Sequence, residues 1–354
     1  GASVKKINIQ DVAFQKYVYE KCGIVIKNCY LMFVNNKFVK NGDIDVNEFF
    51  TKEDITERVE ELIGTVPAKV KGMLDLMNTK TCPDTKIGLQ CSKPYDCDLA
   101  ESCWKFLPEG NIFELYYVSK KKAFGLLDEG VMKISELPSS FKVSEKQKIQ
   151  LKEEIHLDKE AIKGFLDSLK EPYYYMDFES YQTAIPSFEG GWPYQQIVFQ
   201  YSVHVNGDHH EFLGRELDCQ QELYLELKKV LGDSGSIIVF SKSFEIGRLR
   251  ELGKMFDDMD WVESAISRIV DLRDVFSNFY YYNPKQKGSA GLKSILPAVT
   301  GKDYSELDIR DGKTAGVQFK KNPMNEKVRA DLLKYCGLDT EGMVWIVKEL
   351  KGIV

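Results

Sequence analysis

Apolar positions recur at two different periods along this chain, and each period marks a kind of element. At residues 196–205, Ile197, Phe199, Tyr201, Val203 and Val205 alternate with Gln196, Gln200, Ser202 and His204, which predicts a half-buried antiparallel strand. Asn206-Gly207-Asp208 is a turn signal, and residues 210–214 return as a further strand. Ahead of them, Tyr173-Tyr174-Tyr175-Met176-Asp177-Phe178-Glu179-Ser180 is an apolar, aromatic run that reads as a buried strand. Residues 236–241 read as another strand, followed by a helix at 242–252. Over 326–350 the spacing changes to three and four, placing Val328, Leu332, Tyr335, Asp339, Met343 and Ile346 on one helical stripe. This order predicts an α/β domain with a mixed sheet and flanking helices.

The first half has a different texture. Residues 11–22 read as a helix, 29–34 and 37–39 as a hairpin around Asn35-Asn36, and 53–63 as a helix capped by Asp54 or Thr51. Pro67 separates it from a second helix near 70–77. Short strands are expected at 113–118, a Lys- and Glu-rich connecting helix at 145–155, and a helix at 159–169 that leads into the Asp177 strand. The expected division is 1–110, a smaller α+β domain; 111–170, connecting elements; and 171–354, the α/β domain. No internal repeat is evident.

At 354 residues with 43% hydrophobic content, the chain can bury the core of two domains. No apolar run reaches membrane-spanning length and no hydrophobic signal core is present, so no membrane partner and a cytoplasmic location are expected. A net charge of -6 argues against a protein that coats nucleic acid. It leaves room for an enzyme that grips a few phosphates, and Lys242, Arg248, Lys285, Lys287, Lys293, Lys320 and Lys321 are available for that, although each taken singly reads as a solvated charge.

Candidate chemistry begins with the Asp177 strand. Strand side chains alternate, so Asp177 and Glu179 leave the same face while Met176 and Phe178 leave the other. Two like charges on a buried strand are tolerated when a divalent cation lies between them. Asp339 is an acid on the apolar stripe of the last helix, and Tyr335 lies one turn before it. Asp177, Glu179 and Asp339 are thus the first candidate metal ligands.

The Asp-x-Glu strand and the late Tyr-x-x-x-Asp helix resemble the first and third motifs of the DEDD exonucleases, the DnaQ-like branch of the RNase H-like fold. That branch carries a Phe-Asp pair at an intervening strand-to-helix junction, where Phe244-Glu245 stands here with a longer acid and Ser241 replaces a common Asn. Gly190-Gly191-Trp192-Pro193-Tyr194-Gln195-Gln196-Ile197, Gly288-Ser289-Ala290-Gly291-Leu292-Lys293-Ser294-Ile295-Leu296-Pro297 and Tyr335-Cys336-Gly337-Leu338-Asp339-Thr340 resemble the bacterial domain of unknown function numbered 2779. In that family an exonuclease-like half follows a RecB-like half with a cysteine cluster.

The resemblance implies an RNase H-like mixed sheet in the C-terminal half and a remnant of a RecB-like PD-(D/E)XK fold before it. It also implies a DEDDy-type 3'-5' exonuclease acting on single-stranded DNA or RNA ends. Asp177, Glu179, Glu245 and Asp339 would hold two Mg2+ or Mn2+ ions about 4 Å apart, with Tyr335 orienting the attacking water. The alternative is a catalytically weak module that binds nucleic-acid ends or a protein partner, and a third reading makes the four acids structural and Asp271 and Asp274 the ligands of some other hydrolase. Gln15 and Tyr19 match a Gln-x-x-x-Tyr element of RecB-like nucleases without the Glu-x-Lys that precedes it there. Gly1-Ala2-Ser3 has the composition of a vector remnant, so the chain is expected to begin just after the catalytic lysine of such a half.

Cys82, Cys91, Cys97 and Cys103 cluster in residues 81–104, whereas Cys22, Cys29, Cys219 and Cys336 are scattered. The spacing lacks the Cys-x-x-Cys pairs of zinc ribbons, which leaves an iron-sulfur cluster, zinc or free thiols. The resemblance implies an iron-sulfur cluster held by Cys91, Cys97 and Cys103, incomplete here unless Cys82 or Cys22 substitutes for the fourth ligand. His204, His209 and His210 read as solvated histidines.

Overall fold

The computed structural model describes residues 2–354, which divide into two compact units: residues up to Phe106 together with Thr183–Gln195, and Leu107–Gln182 together with Gln196–Val354. The second unit is an α/β fold on a five-stranded mixed sheet. Its strands run in the order Asp208–Leu213, Gln196–Val205, Tyr173–Gln182, Ser236–Val239 and Ile269–Asp271. The first three are antiparallel neighbours and the last two continue in parallel from the Asp177 strand.

The alternation expected of the central strand is present. Tyr174, Met176 and Phe178 join the core with Val198, Val203 and Leu223, under the helices Gln220–Leu231 and Ser243–Met255. Removing such side chains from water is the main favourable term in holding the unit together. The opposite sheet face is covered by the C-terminal helix Glu326–Ile353, which buries Leu332, Tyr335, Cys336, Asp339, Met343 and Ile346. That is the stripe read from the sequence.

Residues 107–170 belong to this second unit rather than forming a separate connector. The Tyr116 N–H donates to Gln150 Oε1 at 2.8 Å, Gln147 Nε2 donates to the Tyr116 carbonyl at 2.8 Å, and the Tyr116 hydroxyl donates to the Ser277 carbonyl at 3.0 Å. These side-chain bonds use the backbone groups that a strand at 113–118 would need. That stretch instead forms a short 3-10 turn, Ile112–Glu114, and an irregular segment. The expected connecting helix ends early, spanning Glu145–Gln150, with Gln147 and Gln150 buried.

In the first unit the expected hairpin is re-paired. Tyr30–Val34 pairs antiparallel with Phe50–Asp54, not with 37–39, because Phe38 turns inward onto the Phe49 ring at 5.3 Å between centroids. The helix expected at 53–63 therefore starts late, at Thr56–Ile63. As expected, two separate helices meet here, and Pro67 sits in the first turn of the second, Val66–Met77, where a missing N–H costs nothing. Ile9, Ala13, Ile55, Val59 and Val66 form the core here, while Gln15 and Tyr19 are exposed on the first helix.

Candidate metal centre

Two elements converge to build the site. Asp177 and Glu179 project from the central strand beside a register shift between Glu179 and Ser180, and Asp339 descends from the C-terminal helix packed on the same face. One carboxylate oxygen from each of the three lies within 4.8 Å of the others, the only such group of potential metal ligands among the described residues. Hard oxygen donors in that arrangement suit a divalent cation such as Mg2+ or Mn2+.

The carboxylates carry the marks of crowding. Burial, then the charges of Asp339, Glu179 and Glu245, push Asp177 well above the usual carboxylate range, and the Cys336 thiol, 3.6 Å from Asp177 Oδ2, offsets a little of it. Glu179 is pushed up to about 8, mainly by burial and next by Asp339, with Lys293 acting in the other direction. Asp339 rises only to about 6, because the Tyr304 and Tyr335 hydroxyls and the Lys293 charge favour its ionised form against burial. Tyr304 donates its hydroxyl hydrogen bond to Asp339 Oδ1.

Glu245 stands apart from the group of three. It is 2% exposed, its Oε2 has no hydrogen-bond partner, and burial raises it to about 8 with Asp271 adding repulsion and Arg248 opposing it. The structure thus brings together three of the four acids read from the sequence. Asp271 is a structural residue: it accepts from the N–H groups of Ser241 at 2.8 Å, Lys242 at 2.9 Å and Arg273 at 3.1 Å, which fixes the junction that presents Phe244 and Glu245.

A cleft of about 440 Å³ opens beside Glu179, lined in part by Phe244, Gln182, Gln196, Lys313 and Lys320. Its wall is the helix Gly312–Lys321, which lies against the central strand through glycines: a Cβ at Gly312 would stand 3.2 Å from Glu179 Oε2, and one at Gly316 2.7 Å from the Ser180 carbonyl.

Tyr304 and Cys336 are site residues whose roles the sequence did not reveal, and Lys293, read there only as one of several available cations, also lies at the site. Tyr304 comes from an irregular segment with no periodic signal, and Cys336 looked like one of four scattered thiols. Of the three histidines, His204 departs from the expected solvated state, while His209 and His210 are exposed. His204 and His209 stack at 4.1 Å, with His204 Nδ1 2.8 Å from Thr340 Oγ1 and His209 Nε2 2.9 Å from Ser202 Oγ. Burial lowers His204 to about 4, whereas His210 is exposed. In the other unit Cys82, Cys97 and Cys103 are exposed and Cys91 is half-buried, its sulfur accepting from the Gly88 N–H at 3.5 Å.

Residues 174–291 match the family described as Domain of unknown function (DUF2779). The match includes Asp177, Glu179 and Glu245 and ends before Tyr335 and Asp339. The chain is similar to Uncharacterized protein MG366 of Mycoplasma genitalium, 22% identical over 96% of this chain and 61% of the relative. It is also similar to the Uncharacterized protein MG366 homolog of Mycoplasma pneumoniae, 26% identical over 64% of this chain and 40% of the relative, and to Uncharacterized protein UU173 of Ureaplasma parvum, 25% identical over 52% and 32%. This chain therefore spans less than two thirds of the length of these relatives. No solved structure matches it. Among the described residues, no helix is long and apolar enough to cross a membrane.

Proposed function

We propose that this chain is a divalent-metal-dependent exonuclease of RNase H-like fold that shortens single-stranded DNA or RNA from the 3' end. The observation that carries the reading is the convergence of Asp177, Glu179 and Asp339 within 4.8 Å beside an open, lysine-lined cleft. The strand order, with three antiparallel strands followed by two parallel ones, supports the fold assignment.

Asp177, Glu179 and Asp339 would hold the ion. Bound Mg2+ or Mn2+ supplies Lewis acidity toward water and phosphate oxygens. Tyr304 immobilises Oδ1 of Asp339, which orients the carboxylate before any ligand enters. Tyr335, on the same helical face as Asp339, would orient the attacking water. Phe244 offers a ring for stacking a base, and Lys313 and Lys320 offer charge for backbone phosphates. Cys91, Cys97 and Cys103 of the other unit, with Cys82, are proposed as thiolate ligands of an iron-sulfur cluster or zinc; they are close in sequence and form no ligand group among the described residues. Iron and zinc both absent by elemental analysis of anaerobically purified protein would discard that assignment.

The deciding experiment incubates the protein with end-labelled single strands. A ladder shortening from the 3' end with Mn2+ and none with EDTA is expected. Loss of label in one internal step, or no cleavage with any divalent ion, would refute an exonuclease. Glu245, which stands outside the group of three with one carboxylate oxygen unsatisfied, favours one competing reading, a catalytically weak module that binds strand ends, and binding without cleavage would establish it.

A further inference from the structure

Lys293 occupies an unusual place at the metal centre. It is the second residue of the helix Leu292–Thr300, and its ammonium lies 5.5 Å from the Tyr335 ring centroid and 5.8 Å from that of Tyr304, the two tyrosines that flank Asp339. The same ammonium donates to the Arg310 carbonyl, just before Asp311 and the Gly312 backbone that abuts Glu179. It forms no ion pair with any carboxylate among the described residues, yet its charge reaches both Glu179 and Asp339. A lysine serving only the surface would pair with an acid or extend into water. This one is tethered by a carbonyl and two aromatic faces at the exposed mouth of an acidic site, where cation–π contacts hold an ammonium without neutralising it.

The charge balance gives that placement a consequence. In the ionised form that binds metal, three converging carboxylates and one ammonium leave two negative charges, which a single divalent ion neutralises. A second ion would call for the fourth acid, and Glu245 lies outside the group, facing Arg248 and Asp271. We propose that Lys293 is the cationic arm of the centre, opposing metal entry in the empty site and contacting the scissile phosphate when a strand is bound. This rests on the nuclease reading above for its substrate and on geometry alone for its effect on metal. The site then takes one tightly bound ion, with the lysine filling the electrostatic role of another. No bond is made or broken by the lysine, whose ammonium acts as a fixed charge and hydrogen-bond donor.

The test compares wild type, Lys293→Met and Lys293→Arg, using isothermal titration with MnCl2 on apoprotein and cleavage of a labelled single strand. Removing a positive charge from the rim of the site is expected to tighten Mn2+ binding by about tenfold, while turnover falls about 100-fold. Lys293→Arg, which keeps the charge, is expected to stay near wild type in metal affinity. Opposite movements of affinity and rate are the signature, because a strut that merely held the Arg310 carbonyl would leave Mn2+ affinity unchanged or weaken it. Unchanged or weaker Mn2+ binding by Lys293→Met, with its melting temperature retained, would overturn the proposal, as would two tight Mn2+ ions on the wild type. Wild type that binds Mn2+ but cuts no strand would overturn the nuclease reading and the phosphate contact with it. Tighter Mn2+ binding by Lys293→Met would still uphold the opposition between lysine and metal in that case.

Discussion

Replacing Asp177 with Asn tests the centre without relying on any activity. Among the described residues the one side-chain hydrogen bond at Asp177 is with the Cys336 thiol at 3.6 Å, so an amide of the same shape disturbs little packing and, where Asp177 is ionised, removes one negative charge. Unit charges no more than 4.8 Å apart repel by about 3.5 kcal/mol at an effective dielectric constant of about 20. Protonation relieves part of this, so the gain is expected to be roughly 2–4 kcal/mol once the neighbouring acids are ionised. The sign with pH follows from the raised carboxyl values. The folded protein retains protons that the unfolded chain releases near pH 4, so the stability of the metal-free protein is full below about pH 4 and falls as pH rises. The decline spans the ionisation of Asp339, at about 6, of Glu179 and Glu245, at about 8, and of Asp177, which burial and its neighbours hold well above the usual carboxylate range. Asp177→Asn should therefore matter little at pH 5 and most above pH 8. For a unit of this size each kcal/mol moves the midpoint by about 2–4 °C, so the metal-free variant should melt roughly 4–16 °C above wild type at pH 8.5. Adding Mn2+ should reverse the order, since wild type gains binding energy that the variant lacks. Thermal melts in EDTA and in Mn2+ at both pH values provide the measurement. A metal-free variant less stable than wild type at pH 8.5, or a shift that ignores pH, would refute the picture of repelling carboxylates around an empty ion site.

Glu245→Gln should also raise metal-free stability at pH 8.5, because a buried charge that Asp271 and Asp339 repel is removed, while titration shows Mn2+ affinity changed by less than about threefold; loss of tight binding would make Glu245 a ligand after all. Tyr335→Phe should slow turnover by about tenfold or more with little change in Mn2+ affinity, and an unchanged rate would remove the hydroxyl from the mechanism. Mn2+ binding should weaken steeply between pH 8.5 and pH 6, as protons on Glu179 compete with the ion, and a flat titration series would contradict a raised Glu179. Gly316→Ala places a methyl 2.7 Å from the Ser180 carbonyl, so the cleft-wall helix must move off the strand; a loss of about 1–3 kcal/mol in a denaturant melt is expected, and an unchanged midpoint would show that the contact is loose.

Local period determined which way each candidate acid faces. Alternation along the central strand put Asp177 and Glu179 on one side with Met176 and Phe178 on the other, and the three-and-four spacing of the last helix placed Asp339 and Tyr335 on its packed stripe. Both were legible because side-chain direction in a strand or helix depends only on the backbone of that element. Period says nothing about which faces meet, since that depends on packing between segments far apart in the chain. Only the tertiary structure therefore brought three acids together, set Glu245 aside, and turned Asp271 into a cap for the strand-to-helix junction. The same holds for Tyr304 and Lys293, which reach the centre from an irregular loop and from the start of a neighbouring helix. It holds as well for residues 107–170, where buried glutamine side chains take the backbone bonds of Tyr116 and override a strand-like pattern. A side chain that captures a backbone group must travel through space to do so, and that path is written in the fold rather than in the spacing of residues.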